Sequence, residues 1–304
     1  MKALRVLLGM LVGNIVGGLL CLLATWLARY FGYYGALIVY PNLIIIPFVI
    51  GLVTAWFWRP LKLSIGSYAL YSILCTSLGI GCASLVFREG VICLIIVSPI
   101  LYVFVFAGAL AGRVWFRTNR QKLNLCMAPL LALLVASEPL ARVEKEAIVT
   151  DEILIHASPA KIWPHITSFP EIRAAPRFWL FRLGLPRPVA TTCAGDFVGA
   201  DRRCIFSGGA VFRETVAEIS PLEKLTFDIV ELPRDPELIG HLTPHRGQFE
   251  LRDNRDGTTT LIGRTWYSLH VRPLWYFDWW THRIFRAVHL CVMENVREQS
   301  EKGN

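Results

Sequence analysis

The polar side chains that could do chemistry lie between residues 150 and 290. His241 and His245 stand four apart, a spacing that presents two imidazoles on one face of a metal-binding helix. The segment His-Leu-Thr-Pro-His contains Pro244 and brings no third ligand, so no metal site is expected. Arg202, Arg203, Glu214, Asp228 and Glu231 fall on expected strands, where alternation turns about half of such residues inward. An inward carboxylate among apolar neighbours has a raised pKa and can act as general acid or base. The competing reading for each is a surface or cross-strand ion pair. His282 and His289 are seven apart on nearly one helix face, and a histidine at a cavity wall is a candidate base. Trp266 and Tyr267 alternate, so one of them faces inward. Cys193, Cys204 and Cys291 form no CxxC and are read as free thiols. No GxSxG, P-loop, HExxH or dinucleotide fingerprint is present, and no cofactor is expected.

The elements that must position these residues are mostly strands. Ile148–Ala157 reads as a strand, with Ile153 and Ile155 on one face and Leu154 on the other. Ser158 then caps a short helix with Pro159 at its first position and Ile162, Trp163 and Ile166 on its apolar face. Further strands are expected at Val189–Cys193, Asp201–Phe206, Ala210–Ile219, Lys224–Glu231, Arg246–Asp253 and Thr258–Leu269. Gly and Pro breaks separate them, and Asn254–Gly257 is a hairpin turn signal. A long amphipathic helix from about Leu274 to Ser300 closes the chain, with Phe277, Trp280, Ile284, Val288, Cys291 and Asn295 as one stripe. Phe285, His289 and Val292 broaden it.

The first 140 residues have a different grain. Leu4–Leu27, Ala36–Trp58, Gly66–Phe87 and Val91–Phe116 are apolar stretches long enough to span a bilayer as helices. Their lack of Asp, Glu, Lys and His argues against a pump or ion transporter, which needs ionisable groups within the membrane. Gly9, Gly13 and Gly17, and again Gly108 and Gly112, are small-xxx-small steps suited to close helix contact. Trp56, Trp58, Trp115, Tyr30, Tyr33 and Tyr34 are expected at membrane interfaces. The net charge of +8 comes from this half: residues 1–140 hold ten Lys/Arg against Glu89 and Glu138, and the remainder is balanced. A neutral soluble part excludes the nucleic-acid reading that a pI of 9.2 would invite. Placing the N-terminus in the cytoplasm puts eight of the ten basic residues inside, including the cluster Arg113–Lys122. The apolar run 123–140 is read as a fifth, short crossing, which places the soluble part outside the cytoplasm; lying in the interface instead, it would leave that part in the cytoplasm.

The domain order is therefore 1–141 in the membrane and 142–304 soluble. The second part resembles the START/Bet v 1-like (SRPBCC) superfamily, and within it the polyketide cyclase/dehydrase-like branch. The residues that carry the resemblance are Ile155-His-Ala-Ser-Pro159-Ala-Lys-Ile-Trp163, Gly199-Ala-Asp-Arg202 with Phe206 and Gly208-Gly209, the Gly257–Leu261 turn, and the final helix. Their order along residues 147–300 is more telling than any one of them. The resemblance implies a bacterial inner-membrane protein: an α-helical membrane bundle joined to an α+β helix-grip domain, in which a seven-stranded antiparallel sheet wraps the long C-terminal helix. It also implies an apolar cavity between sheet and helix. Candidate cavity residues are Trp163, Arg202, Phe206, Phe212, Glu214, Tyr267, Phe277, Trp280, Ile284, Val288, His289 and Val292.

Three functional readings follow. One is a membrane-tethered module that takes a lipid-like or other hydrophobic small molecule into the cavity. Another is a cyclase- or dehydratase-type enzyme acting on a hydrophobic carbonyl compound. The third is a ligand sensor that signals through its spans to a protein partner. The discriminating observation is how many ionisable groups converge in the cavity.

Overall fold

The computed structural model describes residues 2–30, 41–87, 90–118, 144–169, 171–172, 177–233 and 242–302. The chain divides into two compact units, Met1–Arg142 and Val143–Asn304. The apolar run 123–140, the cluster residues Arg120 and Lys122, Tyr33, Tyr34 and His241 lie outside the described residues.

The first unit contains α1 (Lys2–Tyr30), α2 (Ile46–Trp58), α3 (Ile65–Cys82) and α4 (Val91–Thr118). Among the described residues four helical segments are long and apolar enough to cross a membrane: Lys2–Trp26, Asn42–Leu61, Ile65–Leu85 and Val91–Phe116. Glycine sets their spacing. A methyl group at Gly108 would collide with the backbone of Phe48, and one at Gly51 with that of Val105, so α2 and α4 touch main chain to main chain. Gly13 leaves the corresponding room on α1 for Thr54. Trp58, expected at an interface, is turned into the bundle. It is fully buried, donates its indole N–H to the Val6 carbonyl at 3.3 Å, and meets Tyr68 edge-on. A buried indole N–H finds a partner in this way.

The second unit is a seven-stranded antiparallel sheet and a long helix, the helix-grip arrangement. The strands are β1 (Lys145–Ile155), β2 (Pro188–Cys193), β3 (Asp201–Phe206), β4 (Val211–Ser220), β5 (Lys224–Glu231), β6 (Leu242–Asp253) and β7 (Thr259–Leu269). Their order across the sheet is β1-β7-β6-β5-β4-β3-β2. Two short helices, α5 (Pro159–Thr167) and α6 (Trp179–Arg182), fill the connection from β1 to β2, and α7 (Leu274–Glu301) ends the fold. β6 begins at Leu242, earlier than expected, and runs through Pro244. The ladder to β7 slips between Pro244 and Arg246, the kind of irregularity that lets a strand carry a residue with no N–H to donate.

Alternation sorts each strand. On β1, Val149, Asp151 and Ile155 are buried while Ile148, Thr150, Glu152 and Leu154 are exposed. The inner face joins α5 and α7 in one core that includes Ile155, Ile162, Trp163, Ile166, Leu225, Phe249, Leu261, Met293 and Val296. Gly263 makes room for α7, since a methyl group there would press on the Met293 sulfur at 3.0 Å. The buried face of α7 runs through Phe277, Thr281, His289, Val292, Met293, Asn295, Val296 and Ser300, so it keeps Phe277 and Asn295 of the expected stripe. It is turned from the stripe expected on sequence, so Trp280, Ile284, Val288 and Cys291 lie at its half-buried margin. The opposite margin exposes Trp275 and Trp279, and the Arg283 guanidinium lies over the Trp279 ring at 4.2 Å.

Candidate functional site

A cavity of about 140 Å³ lies between α7 and the inner face of the sheet. Phe169, Phe206, Phe212, Phe227 and Phe249 contribute aromatic rings, and Ile284, Phe285, Val288 and Val292 line it from the helix. Inner-face alternation explains the strand contributions: Arg202, Cys204 and Phe206 share one parity on β3, as Phe212 and Glu214 do on β4. Phe206 and Phe212 pack with ring centroids 4.7 Å apart.

Eight of the twelve residues picked out on sequence border this cavity: Arg202, Phe206, Phe212, Glu214, Ile284, Val288, His289 and Val292. The other four lie elsewhere. Trp163 packs in the core, and its indole N–H donates to Asp196 Oδ2 at 3.1 Å. Tyr267 faces inward but spends its hydroxyl on Asp278 Oδ1 at 3.2 Å and stacks near Phe285 at 5.0 Å. Burial, and then the Asp278 carboxylate, hold its phenol well above the usual range. Phe277 sits on the same helix, a turn before the cavity-lining Thr281. Trp280 turns toward α6, where its ring meets Trp179 edge-on at 6.4 Å.

Two polar constellations stand on the cavity wall. The first is the ion pair of Arg202 and Glu214, directly opposite each other in the β3–β4 register and 2 % and 4 % exposed. Arg202 Nη1 donates to Glu214 Oε2, and the guanidinium also lies over the Phe227 ring at 4.1 Å. Burial pushes the Glu214 carboxyl up from its ordinary value, and the adjacent guanidinium opposes the shift. Burial, then the Glu214 charge, push the neighbouring Cys204 thiol up to about 12. A thiol held that high is mostly protonated at neutral pH and a weak nucleophile.

The second constellation runs Asp151–His289–Thr265. His289 Nδ1 lies 2.9 Å from Asp151 Oδ2, and Nε2 lies 2.7 Å from Thr265 Oγ1. A carboxylate can only accept, so Nδ1 carries the proton and, in the neutral ring, Nε2 accepts from the Thr265 hydroxyl. Asp151 and His289 are each 6 % exposed, and Arg286 reaches Asp151 Oδ1 at 3.5 Å. Asp151 was not among the sequence candidates. Its signal was available: it has the parity of Ile153 and Ile155 and so lies on the inner face.

The other polar candidates serve the surface. Arg203 pairs with Asp201 at 3.0 Å, Asp228 with Arg246 at 2.6 Å, and Glu231 with Arg213 at 3.2 Å, all partly or well exposed. His282 is exposed, unlike His289 one heptad later. His245 contacts the Ser268 hydroxyl. Among the described residues no group of three or more His, Cys, Asp or Glu could hold a metal ion.

No family model matches the chain, and no curated protein does. Solved structures overlap about half of it. A Nitrosospira multiformis structural-genomics protein is similar at 17 % identity, covering 51 % of this chain and 97 % of its own, with a TM-score of 0.35. Truncated norcoclaurine synthase from Thalictrum flavum aligns at 14 % identity, covering 50 % and 94 %, with a TM-score of 0.34. A Thermobifida fusca protein aligns at 19 % identity, covering 50 % and 92 %, with a TM-score of 0.33.

Proposed function

We propose that the C-terminal domain binds a small, mainly apolar molecule in the cavity between α7 and the sheet, and that the four apolar helices hold this module at a membrane. The observation that carries the reading is the cavity itself: a wall of phenylalanine and aliphatic side chains with a few buried polar groups at fixed points, the usual make-up of a ligand site. Its volume, about 140 Å³, is near that of a cavity that admits benzene. A one-ring or short-chain molecule suits it, and a two-chain lipid does not. The N-terminus and the Arg113–Lys122 loop belong in the cytoplasm on this reading, by the eight-to-two distribution of basic residues.

Val288→Trp in the full-length protein tests the binding reading. The new ring fills the cavity, so apolar material recovered by extraction and mass spectrometry falls while the melting temperature holds or rises. A marked fall in melting temperature with ligand recovery unchanged rejects it, because Val288 is then ordinary packed core.

One observation favours a second reading. The Asp151–His289–Thr265 line presents a carboxylate-oriented imidazole at the cavity wall, the arrangement of a general base once the Thr265 hydroxyl turns away from Nε2. An acid–base enzyme of this kind would exchange the methyl protons of acetophenone with deuterated water, and His289→Gln would abolish that exchange. Exchange that is absent, or unchanged by His289→Gln, leaves binding as the function.

A further inference from the structure

We propose that the cavity's ligand is an uncharged molecule that places a carbonyl or similar acceptor oxygen on Arg202 Nε. The inference rests on the binding reading above and specifies what is bound. Arg202 is 2 % exposed and borders the cavity. Its Nη1 is spent on Glu214 and its face on Phe227, but among the described residues the buried Nε–H has no hydrogen-bond partner. A buried donor without a partner is a penalty that folded proteins avoid, and a guanidinium N–H is a strong donor. Glu214 cannot relieve it without surrendering the bond it already makes to Nη1. An acceptor oxygen carried into the cavity relieves it once the guanidinium turns its Nε edge toward the ligand.

Charge decides which acceptor. Arg202 and Glu214 together are neutral, and Arg264, the other arginine among the lining residues, is already paired with Glu250, so a carboxylate entering beside Phe206, Phe212 and Phe227 would add an unpaired negative charge. An amine would bring a further donor to a place that lacks an acceptor. A ketone, aldehyde or ester takes the N–H with no net charge buried, and its apolar body meets the phenylalanine rings. The cavity volume holds the class to about one ring or a short chain.

The test uses three probes of one size: acetophenone, its alkene counterpart α-methylstyrene, and benzoate. Saturable binding is measured on the full-length protein in detergent, for wild type and for Arg202→Met/Glu214→Leu. The double variant removes donor and acceptor together and so avoids leaving either charge alone in the core. Micelle partition cancels when the ketone-to-alkene affinity ratio is compared between the two proteins. The expected result is a ratio lower by about tenfold or more in the double variant. The acetophenone C=O stretch should move to lower frequency on binding to wild type only. Arg202→Lys, which keeps the charge and removes Nε, replaces the double variant if that chain does not fold. An unchanged ratio overturns the acceptor assignment while leaving the binding reading intact. Tighter binding of benzoate than of acetophenone overturns the charge argument. Failure of acetophenone and α-methylstyrene alike to bind saturably to either protein overturns the binding reading, and this inference with it.

Discussion

His289, in the final helix, and Asp151, in the first strand of the same domain, are joined by a 2.9 Å contact between Nδ1 and Oδ2. The contact spans almost the whole domain in sequence and fastens α7 to the inner face of β1. Asp151→Ala leaves the His289 N–H buried without an acceptor and should cost about 1–3 kcal/mol of domain stability. Asp151→Asn, whose amide oxygen still accepts, should cost less. Urea unfolding, with hydrogen exchange read on β1 and α7 peptides, measures both. Equal loss in the two variants would mean that the charge, and not the hydrogen bond, is what matters.

The Arg202–Glu214 pair predicts a strong non-additivity. Arg202→Met or Glu214→Leu alone strands a charge in the core and should destabilise by about 3–5 kcal/mol. The double variant should be close to neutral, and a double-mutant cycle from denaturant midpoints decides the matter. The pair also has a pH signature. Burial raises the Glu214 carboxyl above its ordinary value of 4.5, so folding favours the protonated form. The stabilising contribution is full below that value and is lost as pH rises through the raised one. Glu214→Gln should flatten this part of the stability–pH profile.

Trp163→Ala should destabilise the domain by about 3–5 kcal/mol. The ring lies in the core between α5, the sheet and α7, at 6 % exposure, and its N–H is bound to Asp196. Since the residue does not border the cavity, the affinity of the remaining folded protein for acetophenone should not change. Loss of affinity with an unaltered melting temperature would contradict the placement.

Cys204 should resist alkylation. A thiol held near 12 is almost wholly protonated at pH 9, where an ordinary thiol is about half ionised. Mass spectrometry of the native protein after iodoacetamide at pH 9 should find the Cys204 peptide unmodified, and denaturation should expose it. Rapid labelling of the native form would show that the thiol is ionised or open to solvent.

The sequence by itself determined the architecture. Long apolar runs with almost no charge can be satisfied only as spans or as core, so four helices were legible before any coordinate. Alternation, glycine and proline breaks and the long closing helix likewise defined seven strands and their partner, because burial period follows directly from backbone geometry. Parity even marks Asp151 as inward. The tertiary structure alone decided which inward residues meet. Trp163, Tyr267 and Trp280 are as apolar as their cavity-lining neighbours, and only the local neighbours Asp196, Asp278 and Trp179 took them elsewhere. The rotation of α7 on the sheet was equally hidden, since a broad apolar stripe permits several settings and packing against Gly263 and β1 selects one. That choice aligns His289 with Asp151 and Thr265 and leaves Val288 beside empty space. A hydrogen bond across more than a hundred residues is a property of that packing, and no local pattern encodes it.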